Sequence, residues 1–142
     1  MFSLSDTSIT CSPENLQNPA AGAYVSFEGW VRNHNEGKEV KSLEYEAYHA
    51  LANKEGERIL QEAKEKFDIL ESLCIHRIGH LQIGEVAVWV GVIAKHRDAA
   101  FLACRYIIDE VKIRVPIWKK ENYTDGDSGW VRCEHCAGHV HG

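Results

Sequence analysis

Apolar and polar residues alternate over residues 24–32, where Val25, Phe27 and Val31 share one side, and again where Glu44 and Glu46 separate Leu43, Tyr45 and Ala47. A period of two predicts two strands, each with one buried face. The polar stretch between them, residues 33–41 with Gly37, reads as a mobile loop that begins directly after Arg32. Over residues 50–67, Leu51, Ala52, Ile59, Leu60, Ala63 and Phe67 recur at near-helical spacing, which predicts an amphipathic helix weakened in its middle by Gly56. Residues 72–78 read as a strand. Residues 86–94 are apolar on both faces, the pattern of a central strand. A second helix is expected over 98–113, with Phe101, Cys104, Ile108 and Val111 on its core face and Arg105, Asp109 and Lys112 beside them. Pro116 ends it, residues 117–123 follow as an edge strand, and a turn at 125–129 leads to Trp130, Val131 and Arg132. Near the start, Pro13 opens a short helix that Pro19 closes. This order of elements predicts an α+β fold with two main helices and an antiparallel or mixed sheet.

The 142 residues make one domain, assigned to 1–132, followed by a Cys/His-rich tail at 133–142. With 44% hydrophobic and 26% charged residues the composition is that of a globular protein, not a disordered or fibrous one. The N-terminus lacks the basic and apolar regions of a signal peptide, and no apolar run approaches the roughly 20 residues of a membrane helix. The expectation is a cytoplasmic protein with neither a nucleic-acid nor a membrane partner. Five cysteines without framework spacing predict no disulfide scaffold.

Charge changes this picture, because the net of −5 is unevenly spread. Residues 95–120 carry seven lysines and arginines against three carboxylates, a net of +4, so the remaining 116 residues carry −9. A basic region in an acidic protein suits the capture of a small anion, although an ordinary solvated face gives the same count. Lys95, His96 and Arg97 sit between the valine-rich strand and the second helix, a position where anions are commonly bound. Arg32 and Arg97 offer planar forks of donors, and a partly buried lysine can act as base or point charge. Phosphate loops, nucleophile elbows and H-E-x-x-H motifs are missing, which leaves hydrolase and kinase classes without support. Cys133, Cys136, His139 and His141 have the donor types for zinc but lack the usual spacer between ligand pairs. Both an adventitious metal-binding tail and a zinc-dependent interaction module stay open.

Four blocks carry a more specific signal: Phe27-Glu-Gly-Trp-Val-Arg-Asn-His-Asn35; Ile75-His-Arg-Ile-Gly79 with Gly84-Glu85; Ala94-Lys-His-Arg97 with Ala99-Ala-Phe101; and Lys112-x-Arg-x-Pro-x-Trp-Lys119 with Glu121. Together and in this order, over residues 22–131, they resemble the catalytic, large subunit of molybdopterin synthase. The resemblance implies an α/β hammerhead fold and a sulfurtransferase of molybdenum cofactor biosynthesis. Such an enzyme inserts two sulfurs into cyclic pyranopterin monophosphate, each delivered as the C-terminal Gly-Gly thiocarboxylate of a small ubiquitin-like carrier subunit. It further implies a homodimer within a heterotetramer, and sulfur transfer without a metal or other cofactor.

Carried over residue by residue, the substrate-binding segments fall on Trp30, Val31, Arg32, His96, Arg97, Lys112, Lys119, Lys120 and Glu121. Lys119 is then the leading acid/base or electrostatic catalyst, with Lys112 as its partner near the carrier's C-terminus. The family's pocket also takes a basic residue from the neighbouring subunit's C-terminal segment, for which Arg132 is the nearest candidate. A rival reading keeps the basic pocket but makes it a non-catalytic binding module for a small protein's tail.

Overall fold

The computed structural model describes residues 1–10 and 13–133. Among the described residues, ten strands and two long helices follow one another. Four strands form the first sheet: β1 (Phe2–Ser5), β2 (Ala23–Trp30), β5 (Ile69–Arg77) and β7 (Val86–Ala94). Their order is β1-β5-β7-β2, parallel between β1 and β5 and antiparallel elsewhere. β7 is therefore central, as its two-sided apolar pattern requires. One face, with Val88, Val90, Val92 and Ala94, packs into the main core under α1 (His49–Lys66) and α2 (Arg97–Arg114). The other face carries Trp89 and Ile93 beneath Leu16, which belongs to a short 3-10 helix over Pro13–Leu16.

The second sheet is built on β4 (Lys38–Ala47) and β8 (Ile117–Tyr123), paired antiparallel with Tyr45 opposite Lys119 and Leu43 opposite Glu121. β3 (His34–Asn35) and β6 (Gly79–Gln82) add to β4, whereas β9 (Gly126–Asp127) and β10 (Val131–Arg132) add to β8. The expected edge position of residues 117–123 is thus wrong. The turn after Tyr123 folds back and supplies two short strands that cover β8, a long-range pairing that local pattern does not encode. The expected loop at 33–41 is also more ordered than its polarity suggests. Glu36 and Gly37 both take positive φ, 51° and 81°, the backbone of a tight hairpin turn joining β3 to β4.

Both helices end where the sequence stops them. Val115 is extended, as the residue before Pro116 must be, and its N–H still bonds to the Val111 carbonyl. The buried face of α2 is Ala100, Ala103, Cys104, Ile107, Ile108 and Val111, while Phe101 is 59% exposed. Small residues let α2 approach the sheet closely, so the core face turns about one position away from Phe101. Leu51 on α1 and Phe27 on β2 are likewise exposed against expectation. Arg114 ties the helices together, reaching Glu55 at 2.7 Å and Glu62 at 2.6 Å on α1 and Glu110 at 3.2 Å on its own helix. This contact and a bond from Tyr106 hold the Glu62 carboxyl down at about 2. Among the described residues, no helix is long and apolar enough to cross a membrane. Cys133 is buried in the main core; the proposed ligands Cys136, His139 and His141 lie outside the described residues.

Candidate active site

Strand alternation puts Lys119 and Glu121 on one side of β8, with Trp118 and Lys120 on the other. On the first side the Lys119 ammonium lies 3.3 Å from Glu121 Oε1, in a pair whose side chains are only 16% and 6% exposed. The same Oε1 accepts a 2.8 Å hydrogen bond from Asn35 Nδ2. The Glu121 backbone is fixed as well, its N–H donating to Ser128 Oγ at 2.8 Å and its carbonyl accepting from the Ser128 N–H at 3.0 Å.

Tyr45, across the ladder from Lys119, points inward and meets the His76 imidazole edge-on, with ring centroids 4.9 Å apart. His76 is buried, and one ring nitrogen bonds to the Arg77 carbonyl at 2.7 Å. Burial, reinforced by the nearby charge of Lys112, pushes the imidazole down to about 4, so it is neutral at physiological pH. The charge of Lys112, near the C-terminal end of α2, thus acts on His76, whose ring partner Tyr45 lies opposite Lys119 on β8.

Arg32 belongs to the same end of the molecule. Val31, whose side chain is buried in the core, donates its N–H to the Glu85 carbonyl and accepts from Gly84 N–H. Glu85 in turn pairs with Arg77 at 3.0 Å, directly after His76. Val31 is thus an anchor that fixes the exposed Arg32 beside the β6–β7 turn. Trp30 is 65% exposed, its indole N–H bonded to Glu28.

The remaining expected residues lie elsewhere. Lys120, on the opposite side of β8, pairs with Glu44 at 3.1 Å and lies over the Trp130 ring, and this contact holds Glu44 below the usual carboxylate range. Arg132 stacks over Trp118 on that side too. His96 and Arg97 are at the far end of the first sheet. Trp30 pairs with Val86 at one end of β7, whereas His96 and Arg97 follow Ala94 at the other, about 27 Å away at roughly 3.4 Å per residue. Along α2, Arg97 and Lys112 are about 22 Å apart at 1.5 Å per residue. One chain therefore pairs Lys119 with Glu121 and holds Arg32 beside the β6–β7 turn, whereas His96 and Arg97 lie beyond the other end of β7.

Asn35, Tyr45 and His76 complete the site without having been picked out from the sequence as site residues. For His76 the signal is its place in the block Ile75-His-Arg-Ile-Gly79. Asn35 had only its place in the block that follows Arg32.

The chain matches the family described as MoaE protein over residues 4–114. It is 48% identical to the molybdopterin synthase catalytic subunit of Pyrococcus abyssi over 116 residues, 82% of this chain and 78% of that one. Identity to the corresponding subunit of Thermoplasma volcanium is 45% over 115 residues, 81% and 84% of the two chains. The crystal structure of molybdopterin synthase from Staphylococcus aureus superposes with a TM-score of 0.83 at 38% identity, covering 90% of this chain and 94% of that one.

Proposed function

The chain belongs to the MoaE protein family, and we propose that it is the catalytic subunit of a molybdopterin synthase. In this reading it converts cyclic pyranopterin monophosphate to molybdopterin with sulfur taken from the C-terminal thiocarboxylate of a small ubiquitin-like carrier subunit. The observation that carries the reading is the buried Lys119–Glu121 pair, across the ladder from the Tyr45–His76 contact, in a chain 45–48% identical to molybdopterin synthase catalytic subunits.

Each group then has a task. Arg32 holds the phosphate or the pterin through its planar fork of donors. Lys112 receives the anionic end of the carrier. Lys119 faces the carrier's carbonyl. Once the thiocarboxylate sulfur has bonded to the pterin, water adds to the resulting thioester and an oxyanion develops there. The acyl–sulfur bond then breaks to leave sulfur on the pterin and a carboxylate on the carrier. A fixed cation stabilises that oxyanion. Neither Cys74 nor Cys104 supplies the sulfur. Burial raises the Cys74 thiol far above its ordinary range and that of Cys104 to about 11, so neither is a thiolate at neutral pH. Reduced, buried thiols of this kind suit a cytoplasmic protein.

His96 and Arg97 reach the same substrate only from a second copy of the chain, given their separation along β7. The unit of function is accordingly a homodimer with a carrier for each site, a heterotetramer.

The direct test is to incubate the chain with cyclic pyranopterin monophosphate and thiocarboxylated carrier. Molybdopterin should appear while the carrier's terminus becomes a carboxylate. Tight carrier binding without turnover at saturating precursor would replace the enzyme by a binding module.

A further inference from the structure

We propose that Asn35 and Glu121 are positioning residues for Lys119, and that neither touches substrate. This rests on the synthase reading above and revises the expectation that Glu121 binds substrate. Glu121 Oε1 receives two donors at once, the Lys119 ammonium at 3.3 Å and Asn35 Nδ2 at 2.8 Å. A carboxylate 6% exposed is held there by its partners, because burial of an uncompensated charge costs several kcal/mol. Its negative charge would also repel both the phosphate and the thiocarboxylate, so a direct contact with either ligand is electrostatically wrong. What the carboxylate can do is fix the direction of a flexible four-carbon side chain that otherwise samples many rotamers.

Asn35 makes this arrangement depend on the β3–β4 hairpin. Its register is set by the tight turn at Glu36 and Gly37, with Asn35 opposite Lys38 and His34 opposite Glu39. Lys38 lies 5.0 Å over the Tyr123 ring, so the hairpin meets β8 at two places, Asn35 on Glu121 and Lys38 on Tyr123. Arg32 precedes this hairpin by only a few residues. The segment that carries the phosphate ligand therefore also orients the carboxylate that aims Lys119.

Steady-state turnover with saturating thiocarboxylated carrier tests the assignment, using Asn35→Ala and Glu121→Gln in the wild-type and Lys119→Ala backgrounds. Misaiming a catalytic group by about 1 Å should cost about tenfold or more in kcat. The expected result is that loss in kcat for each single variant, with KM for the pterin and carrier affinity unchanged, and no further loss once Lys119 is already alanine. Asn35→Ser, which keeps a short donor, should recover part of the rate. A raised KM for Glu121→Gln, or an undiminished loss in the Lys119→Ala background, would make Glu121 a direct ligand and overturn the proposal. Wild-type-like kcat in Asn35→Ala would overturn it as well. An inactive wild-type chain would instead defeat the synthase reading itself, so the two failures are distinguishable. Asn35 lies on a surface hairpin, which keeps the test available if Glu121→Gln does not fold.

Discussion

Tyr45 meets the His76 imidazole edge-on at 4.9 Å, and this contact joins the two sheets across the ladder from Lys119. The second sheet supplies Lys119 opposite Tyr45, and the first supplies His76 beside the charge of Lys112. A neutral ring at this point adds no further positive charge near Lys112.

The buried imidazole makes stability depend on pH. Its folded value of about 4 lies below the ordinary 6.5, so between those limits the unfolded chain takes up a proton that the folded chain refuses. Stability is complete above pH 6.5 and falls as pH drops toward 4, by on the order of 3 kcal/mol from this group alone. Urea unfolding at pH 7 and pH 4.5 measures the difference, and His76→Gln should flatten most of it. An unchanged slope in that variant would assign the acid sensitivity elsewhere. Glu62, held at about 2, contributes in a lower window, between about 4.5 and 2.

Gly56 weakens α1 by intrinsic propensity, yet replacing it should not help. A Cβ there would overlap the Phe2 ring, which is buried where β1 lies against the helix. Gly56→Ala gains about 1 kcal/mol of helix propensity and loses more to overpacking. The expected net is a destabilisation of about 1–2 kcal/mol by thermal or urea unfolding. Trimming the ring in Phe2→Leu should make the same glycine change less costly.

Much of this architecture is legible in the sequence because it is local. Valines on both faces of residues 86–94 mark a central strand, and Pro116 marks the end of α2. What escaped depends on pairing between distant segments: β9 and β10 covering β8, the hairpin that seats Asn35 on Glu121, and the rotation of α2 that exposes Phe101. Charge counting found the basic region, but a count carries no direction. It could not separate Lys119 from Lys120, which alternate to opposite sides of one strand.

That alternation gives a sharp contrast between neighbours. On the proposed function, Lys119→Ala removes a cation from the reacting carbonyl and should lower turnover by about two orders of magnitude. Lys120→Ala breaks a partly exposed pair with Glu44 and a contact with Trp130, and should change turnover by less than about threefold. Side-by-side rates under saturating carrier and precursor decide this. Equal losses would show that both sides of β8 serve the reaction.

The distance between the two halves of the expected site supports a last prediction. Arg97 begins α2 beyond one end of β7, while Arg32 and Lys119 are at the other, so a chain that binds substrate through both groups must borrow one of them. In a two-fold dimer each site would combine Lys119 of one copy with His96 and Arg97 of the other. Lys119→Ala and Arg97→Ala should then each keep only a small residual activity as homodimers. In a mixed dimer both lesions fall in one site and leave the second intact. Co-refolding equal amounts gives about half mixed dimers, so activity should return to about a quarter of the wild-type value. If each site were built from one chain, every site in the mixture would carry a lesion and no activity would return. Recovery therefore reports composite sites directly; its absence in a verified mixed dimer would put Lys119 and Arg97 of the same chain in one site, and an active Arg97→Ala homodimer would exclude Arg97 from that pocket.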